Sequence, residues 1–435
     1  MLTAQLARGR SLALLAMAII PIAPQAIADD TPPTLQFETQ ELDPHVGNVC
    51  YAVTTADVNG DQKPDVVAVT EEAVVWFQNP TWQKHEIIRG KTERDNVCIA
   101  AHDIDGDGQI DFALGAGWRP ADTAGASTLQ WLGRDQQGAW QLHPITCAEP
   151  TVHRIRWGDV TGDGKPELVV VPLQGRGTKA PNWGNGAGVK VLIYSIPTNP
   201  ASPDWPVVVA DDTVHTIHNF QLINLDNDPA QEILLAGWEG VFLLNRTAAG
   251  DWERTKIGEG YQAPELPNKG ASELKIGRLP TSAPVIATIE PWHGRQVVLY
   301  EPTNWSPDAP LAALFAGGLW NRRVLDDGVI WGHAVWFADL DGVQGDELII
   351  GQRDPRTDDT APKGPGVWVY QFTKPAAGEL PKAQKVTIDN GGMACEDALA
   401  VDLDGDGRID VVAGGRATHN VKIYWNKTPK GEAAR

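Results

Sequence analysis

A short acidic loop followed by an apolar, β-branched run returns along the chain. It reads DVNGDQKPDVVAV from Asp57, DIDGDGQIDFALG from Asp103, DVTGDGKPELVVV from Asp159, DLDGVQGDELIIG from Asp339 and DLDGDGRIDVVAG from Asp402. NLDNDPAQEILLAG from Asn224 is a weaker copy, and LKIGRLPTSAPVIATI around Gly277 keeps the apolar flanks without the acids. These seven units lie 46 to 65 residues apart. Repetition at such a period means a solenoid, a propeller or an array, because one unit alone is too small to bury its own apolar face.

Each unit holds more than its loop. An apolar stretch such as VCYAVTTA precedes it, and a third segment ends in aromatics, as in VVWFQN, VKVLIYS or VKIYWN. A fourth pairs Trp with charge, as in WQKHEII or WERTKIG. Short alternating or apolar runs broken by Gly, Pro and Asp read as strands. Four strands in each of seven units predict an all-β, seven-bladed propeller over residues 29–427. The last unit lacks its fourth strand, and LQFETQELD near the start supplies a spare one. Residues 35–43 are therefore expected to complete the last blade and remove a free sheet edge. A string of separate calcium modules is the competing arrangement, and it does not account for the complementary ends.

The loops gather oxygens at positions 1, 3, 5 and 9 of a tight turn, as a hard cation such as Ca²⁺ requires. Full sets are Asp57, Asn59, Asp61 and Asp65; Asp103, Asp105, Asp107 and Asp111; and Asp402, Asp404, Asp406 and Asp410. A partial set is Asp159, Asp163 and Glu167, with Thr161 at the third position. The copies at Asn224 and Asp339 depart further from the pattern. Four clustered carboxylates without a cation would repel one another. Structural Ca²⁺ joining the first and second strands is therefore expected.

A second regularity sits six residues before each loop. That position holds Tyr51, Val97, His153, His218, a residue near Ala271, His333 and Glu396. First strands of a propeller line its channel, so equal offsets form a ring at the end away from the acidic loops. His153, His218 and His333, with Glu396 or water, would suit Zn²⁺ or another transition metal. Turns between second and third strands should surround the same mouth. They carry Arg176, Lys179, Trp183, Trp238, Trp292, His293 and Arg353. Aromatic faces beside charged groups suit sugar rings, which stack through C–H bonds and share their hydroxyls in hydrogen bonds.

The formal net charge of −20 argues against a nucleic-acid partner, since phosphate binding needs a basic face. Arg8 and Arg10, the apolar SLALLAMAII and AIA ending at Ala28 read as a secretory signal peptide over residues 1–28. An exported, periplasmic or secreted protein is expected, with a disordered tail over 428–435. Export would let Cys50, Cys98, Cys147 and Cys395 oxidise, in any of three pairings.

The repeats resemble those of the FG-GAP/VCBS family. The stretches TVHRIRWGDVTGDGKPELVVVPLQGRG, HNFQLINLD, EPWHG, GHAVWFADLDG and ACEDALAVDLDGDG resemble the propeller domain of aldos-2-ulose dehydratases, metal-dependent lyases acting on keto-sugars. That resemblance implies a carbon–oxygen lyase catalysing a dehydratase-type β-elimination. Glu396, Tyr51 and His293 would be the acid or base candidates, and Arg156, Arg176, Lys179 and Arg353 would hold substrate oxygens. The fungal enzymes add cupin-like domains after the propeller, so the isomerase step attributed to those domains is not expected of the propeller itself. A polysaccharide lyase on the same fold, or a non-catalytic carbohydrate- or protein-binding propeller, would carry the same repeats.

Overall fold

The computed structural model describes residues 32–429, apart from 227, 264–267, 307–310, 316, 355–363 and 377–378. The signal peptide expected at 1–28 and residues 430–435 of the expected tail lie outside the described residues. Seven four-stranded antiparallel sheets form a propeller, and the one short helix among the described residues, Leu311–Phe315, joins two strands of blade five. No helix among the described residues is long and apolar enough to cross a membrane.

The second strand of every blade is buried at each position, as in Asp65–Thr70, Glu167–Pro172 and Asp410–Gly415. This is why those segments read as continuous apolar runs rather than alternating ones. Outer strands alternate or face water; Gln83–Arg89 carries most of its charge outward, and Ala383–Asn390 turns Lys385 out and Asp389 in. Seven apolar clusters fill the interior, and most join neighbouring blades. Side-chain amides add polar ties: Asn79 Nδ2 donates to Leu403 O at 2.7 Å, and Asn426 Nδ2 donates to Leu340 O at 2.8 Å.

Closure follows the expected route. Phe37–Asp43 pairs with Val421–Asn426 and becomes the outer strand of blade seven. The ordered closure runs slightly beyond the expected boundary. Thr428 is buried, and its Oγ1 accepts the Gln36 N–H at 3.0 Å. It belongs to the blade and not to a loose tail.

The four cysteines are free thiols, so the oxidised pairing is corrected. Cys50, Cys98 and Cys395 sit on the innermost strands of different blades and are buried. Each fills the space left by a glycine: Cys50 against Gly414, Cys98 against Gly115, Cys395 against Gly351. They serve as small apolar packing groups.

Candidate metal centre at the channel mouth

The seven innermost strands surround the axis: Cys50–Ala56, Cys98–His102, Val152–Gly158, Asn219–Ile223, Leu274–Arg278, Gly332–Ala338 and Cys395–Val401. Tyr51, His153, His333 and Glu396 each occupy a register shift near the start of such a strand. A bulge there places one extra residue against the partner strand and re-aims its side chain. Two residues earlier the backbone turns left-handed in five blades, at Asp95, Thr151, Thr216, Gly270 and Trp331. The repeated turn sends each strand into the channel at the same height.

Strand register corrects the fifth blade. The pairs Ile276↔Ile286, Phe337↔Leu348 and Ala400↔Val411 occupy matching places, since Ile286, Leu348 and Val411 each face a third-strand tyrosine. Counting back four residues reaches His333 and Glu396 in two blades and Ser272 in the fifth, one residue beyond Ala271. The fifth loop has lost the aspartates that fix the count elsewhere.

Four imidazoles gather at the mouth. Ring centroids lie 4.6 Å apart for His153–His218, 4.6 Å for His218–His293, 4.8 Å for His218–His333 and 5.2 Å for His293–His333. The nitrogens that converge within 4.8 Å of one another belong to His218, His293 and His333. His293 therefore joins the candidate ligand set, although the sequence suggested an acid or base role. His153 stands beside His218, with Trp118 4.8 Å from its ring. His293 arrives on the turn EPWHG, in a left-handed conformation at φ 52°. Gly294 closes that turn; a Cβ there would lie 2.3 Å from the Glu290 carbonyl.

Neighbouring groups fix which nitrogens face inward. His153 Nδ1 lies 2.9 Å from His218 O, and His333 Nδ1 lies 2.5 Å from Glu396 O. Carbonyls accept only, so both rings hold their proton on Nδ1 and present a bare Nε2. Glu273 Oε1 stands 2.7 Å from His218 Nδ1, somewhat off the N–H axis. Such outer carboxylates orient metal-binding imidazoles. His218 Nε2 is then a lone-pair donor, 2.8 Å from His293 Nε2. Burial holds all four imidazoles below their usual range, the charge of Arg154 adding to it. Glu273 opposes the shift at His218, but the net direction in every ring favours the neutral, ligand form. Zn²⁺ takes imidazole nitrogens at ~2.1 Å, and donors this close suit a shared cation.

A carboxylate and two guanidinium groups border the imidazoles. Glu396 Oε1 lies 3.9 Å from His333 Nε2 and accepts from Arg416 at 3.0 Å. Its Oε2 is buried without a hydrogen bond, 3.7 Å from Arg353 Nε. Burial raises the Glu396 carboxyl against the opposing pull of both arginines. Tyr51 donates to Asp95 Oδ1 at 3.1 Å, and burial pushes its phenol upward, so it stays protonated. Arg416 lies over the Tyr51 ring at 5.6 Å.

The predicted substrate-binding residues separate into groups. Arg353 borders the centre and lies over Trp331 at 5.1 Å. Trp292 flanks His293 at 5.1 Å, and Trp183 meets Trp292 edge-on at 6.4 Å. Trp238 is only 8% exposed, beneath Gly184, and offers no open face. Arg176 ties its loop to the preceding blade by donating to the Ala124 and Ala148 carbonyls. Lys179 sits on the exposed tip of that loop, bridged to Asn182. Arg156 lies three residues further into the channel than His153, about 10 Å at strand rise. It bonds there to Phe220 O and Asn219 Oδ1, both at 2.9 Å. The sequence reading missed Glu273 and Trp331. Correct register in the fifth blade would have placed Glu273 beside the ring. Trp331 was legible only as an aromatic two residues before His333.

On the far face, carboxylates converge in four loops: Asp103, Asp105 and Asp111; Asp226, Asp228 and Glu232; Asp339, Asp341 and Glu347; Asp402, Asp404 and Asp410. Two of these are the weaker sequence copies. Blades one and three have Asn59 and Thr161 in place of the third-position carboxylate. In six blades the ninth-position acid accepts the N–H of the second residue: Asp65 from Val58, Asp111 from Ile104, Glu167 from Val160, Glu232 from Leu225, Glu347 from Leu340 and Asp410 from Leu403. The loop is thus closed by its own hydrogen bonds. The fifth-position Asp61, Asp107, Asp163 and Asp406 instead accept the N–H two residues on.

Residues 126–303 match the family model of the aldos-2-ulose dehydratase β-propeller domain, a segment holding His153, His218, Glu273 and His293. Residues 44–114 match the FG-GAP-like repeat. No curated protein matches the chain. A solved structure of an Agrocybe aegerita lectin, described for specific recognition of non-reducing terminal N-acetylglucosamine, is 13% identical and covers 86% of this chain and 94% of its own, with a TM-score of 0.48. A likeness that distant carries nothing about ligand or chemistry. The chain is a seven-bladed propeller with FG-GAP-like repeats, related over residues 126–303, from the outer half of blade two into blade five, to the propeller domain of aldos-2-ulose dehydratase.

Proposed function

We propose that this is an exported, metal-dependent carbohydrate lyase, eliminating water across two carbons of a keto-sugar. The observation that carries the reading is the convergence of His218, His293 and His333 beside a buried carboxylate with one oxygen free. A bound Zn²⁺-type cation would supply Lewis acidity toward a carbonyl oxygen. The chain's own residues supply the remainder. Glu396 Oε2 takes the proton α to the carbonyl as the C–H bond breaks and the carbon–carbon double bond forms. The β C–O bond breaks, and Glu396 returns that proton to the departing hydroxide as water. A carboxyl raised by burial is a better base near neutral pH than an exposed one. Tyr51, held as a phenol, donates a hydrogen bond and takes no proton. Arg353 and Arg416 bind substrate oxygens, and Trp292 and Trp331 offer stacking faces. Structural Ca²⁺ in the acidic loops keeps the blades in register.

An ultraviolet assay for an enone tests the reading. Incubation with a 1,5-anhydro-keto-sugar should generate the absorbance, and chelation should stop it. No absorbance from the metal-loaded protein, together with saturable binding of an unchanged sugar, would favour a non-catalytic binding propeller.

A further inference from the structure

The channel does not end at the imidazoles. A cavity of about 90 Å³ lies below them, bordered by Arg154, Arg156, Asn219, Glu273, Lys275 and Asp397. Arg156, Lys275 and Trp336 continue from it into a second hollow of about 320 Å³, with Trp157, Gln221 and Gln231. Trp157 and Phe337 there lie near the loop ends of their strands, so this hollow belongs to the loop-side mouth.

The charge there is unbalanced. Glu273 is committed to His218, to Asn219 and, at 3.9 Å, to Arg154. Asp397 accepts the N–H groups of Val53 and Ala398, both at 3.1 Å. Lys275 is 6% exposed, and among the described residues it makes no ion pair and no hydrogen bond. Its ammonium rests 4.7 Å from the Trp336 ring. Three basic side chains thus face two carboxylates in the cavity, and holding all three charged calls for a further anion. A buried cation without a counterion is costly. Burial, together with neighbouring Arg156, already drives Lys275 well below its usual range.

We propose that the loop-side mouth of the channel binds an oxyanion, either free or as the carboxylate of a sugar acid, through Lys275 and Arg156. Lys275 is the aimed, unpartnered donor. Arg156 is preset by its bonds to Phe220 O and Asn219, Gln221 adds an amide, and Trp336 and Trp157 line the hollow with aromatic surface. This site stands apart from the imidazole mouth and does not depend on the lyase reading.

Calorimetric titration with sulfate and with glucuronate tests it. One saturable equivalent is expected in the unaltered protein, weakened about 10-fold or more in Lys275→Met, as loss of a charge-assisted contact implies. Sulfate alone binding identifies a free oxyanion, and tighter glucuronate binding identifies a sugar acid. Should Lys275→Met fail to fold, selenate-soaked crystals of the unaltered protein should show an anomalous peak beside Lys275 Nζ. The proposal is overturned if neither probe binds, or if selenate is absent from that position. It also falls if Arg416→Ala removes the binding while Lys275→Met keeps it, which would move the anion to the other mouth.

Discussion

The two faces of this propeller gather their polar groups in opposite ways. On the loop face, each acidic cluster comes from one continuous segment, as Asp402, Asp404 and Asp410 do. A hydrogen bond from Leu403 N to Asp410 closes that segment on itself. On the other face, His218, His293 and His333 come from three blades and meet only because the ring closes. The loop face can be altered one blade at a time. The imidazole face stands or falls with the register of several blades together. One design stabilises; the other is suited to chemistry.

The sharpest break between the faces should come from Glu396→Gln. It keeps the shape and the Arg416 contact while removing the basic oxygen. We expect turnover to fall about 1,000-fold, within the range for a lost general base, with metal content and melting temperature unchanged. An equal loss from any loop carboxylate would erase the functional distinction. A smaller effect is expected from Glu273→Gln, which loosens the hold on His218 Nδ1. Zinc affinity should drop 10- to 100-fold, as for other outer-shell partners, with a chelator competition as the readout. Unchanged affinity would mean that Glu273 serves only Arg154 and Asn219.

The loop face should answer to pH and calcium instead. Burial raises Asp111 to about 7 and Asp410 to about 6 in the folded chain. A carboxyl raised in the folded state binds its proton more tightly there than in the unfolded chain. Its stabilising contribution is complete below pH ~4 and is lost as pH rises through 6 to 7. Both carboxyls are buried, but each faces an acidic loop open to water, so screening should keep the change modest. With calcium chelated, the melting temperature should fall by a few degrees between pH 5 and pH 8; with calcium added, the fall should vanish or reverse. Parallel curves with and without calcium would argue that the loops close by hydrogen bonds alone.

The contrast also decided what could be read before the structure. Loops and blades were legible because their determinants are local: carboxylates at fixed spacing, continuous apolar second strands, a spare strand at residues 35–43. The ring of His153, His218 and His333 was legible because equal offset in a repeat becomes equal height in a channel. The sequence put His293 at the mouth but not among the ligands, since that depends on how far its turn reaches toward His218 and His333. The fifth blade hid Ser272 and Glu273 because its loop had lost the aspartates that anchor the count. Lys275 belongs to no motif, and only closure of the ring places it in the channel. The cysteines misled because export was taken to imply oxidation, whereas their positions on separate inner strands suit packing.

If distant imidazoles share one cation, removing one of them must release the ion. Elemental analysis of the purified chain, paired with His218→Ala, tests it most directly. We expect close to one equivalent of zinc or a similar ion in the unaltered protein, and none in a variant that keeps its calcium and its fold. A folded His218→Ala chain that still retains the full equivalent would contradict it.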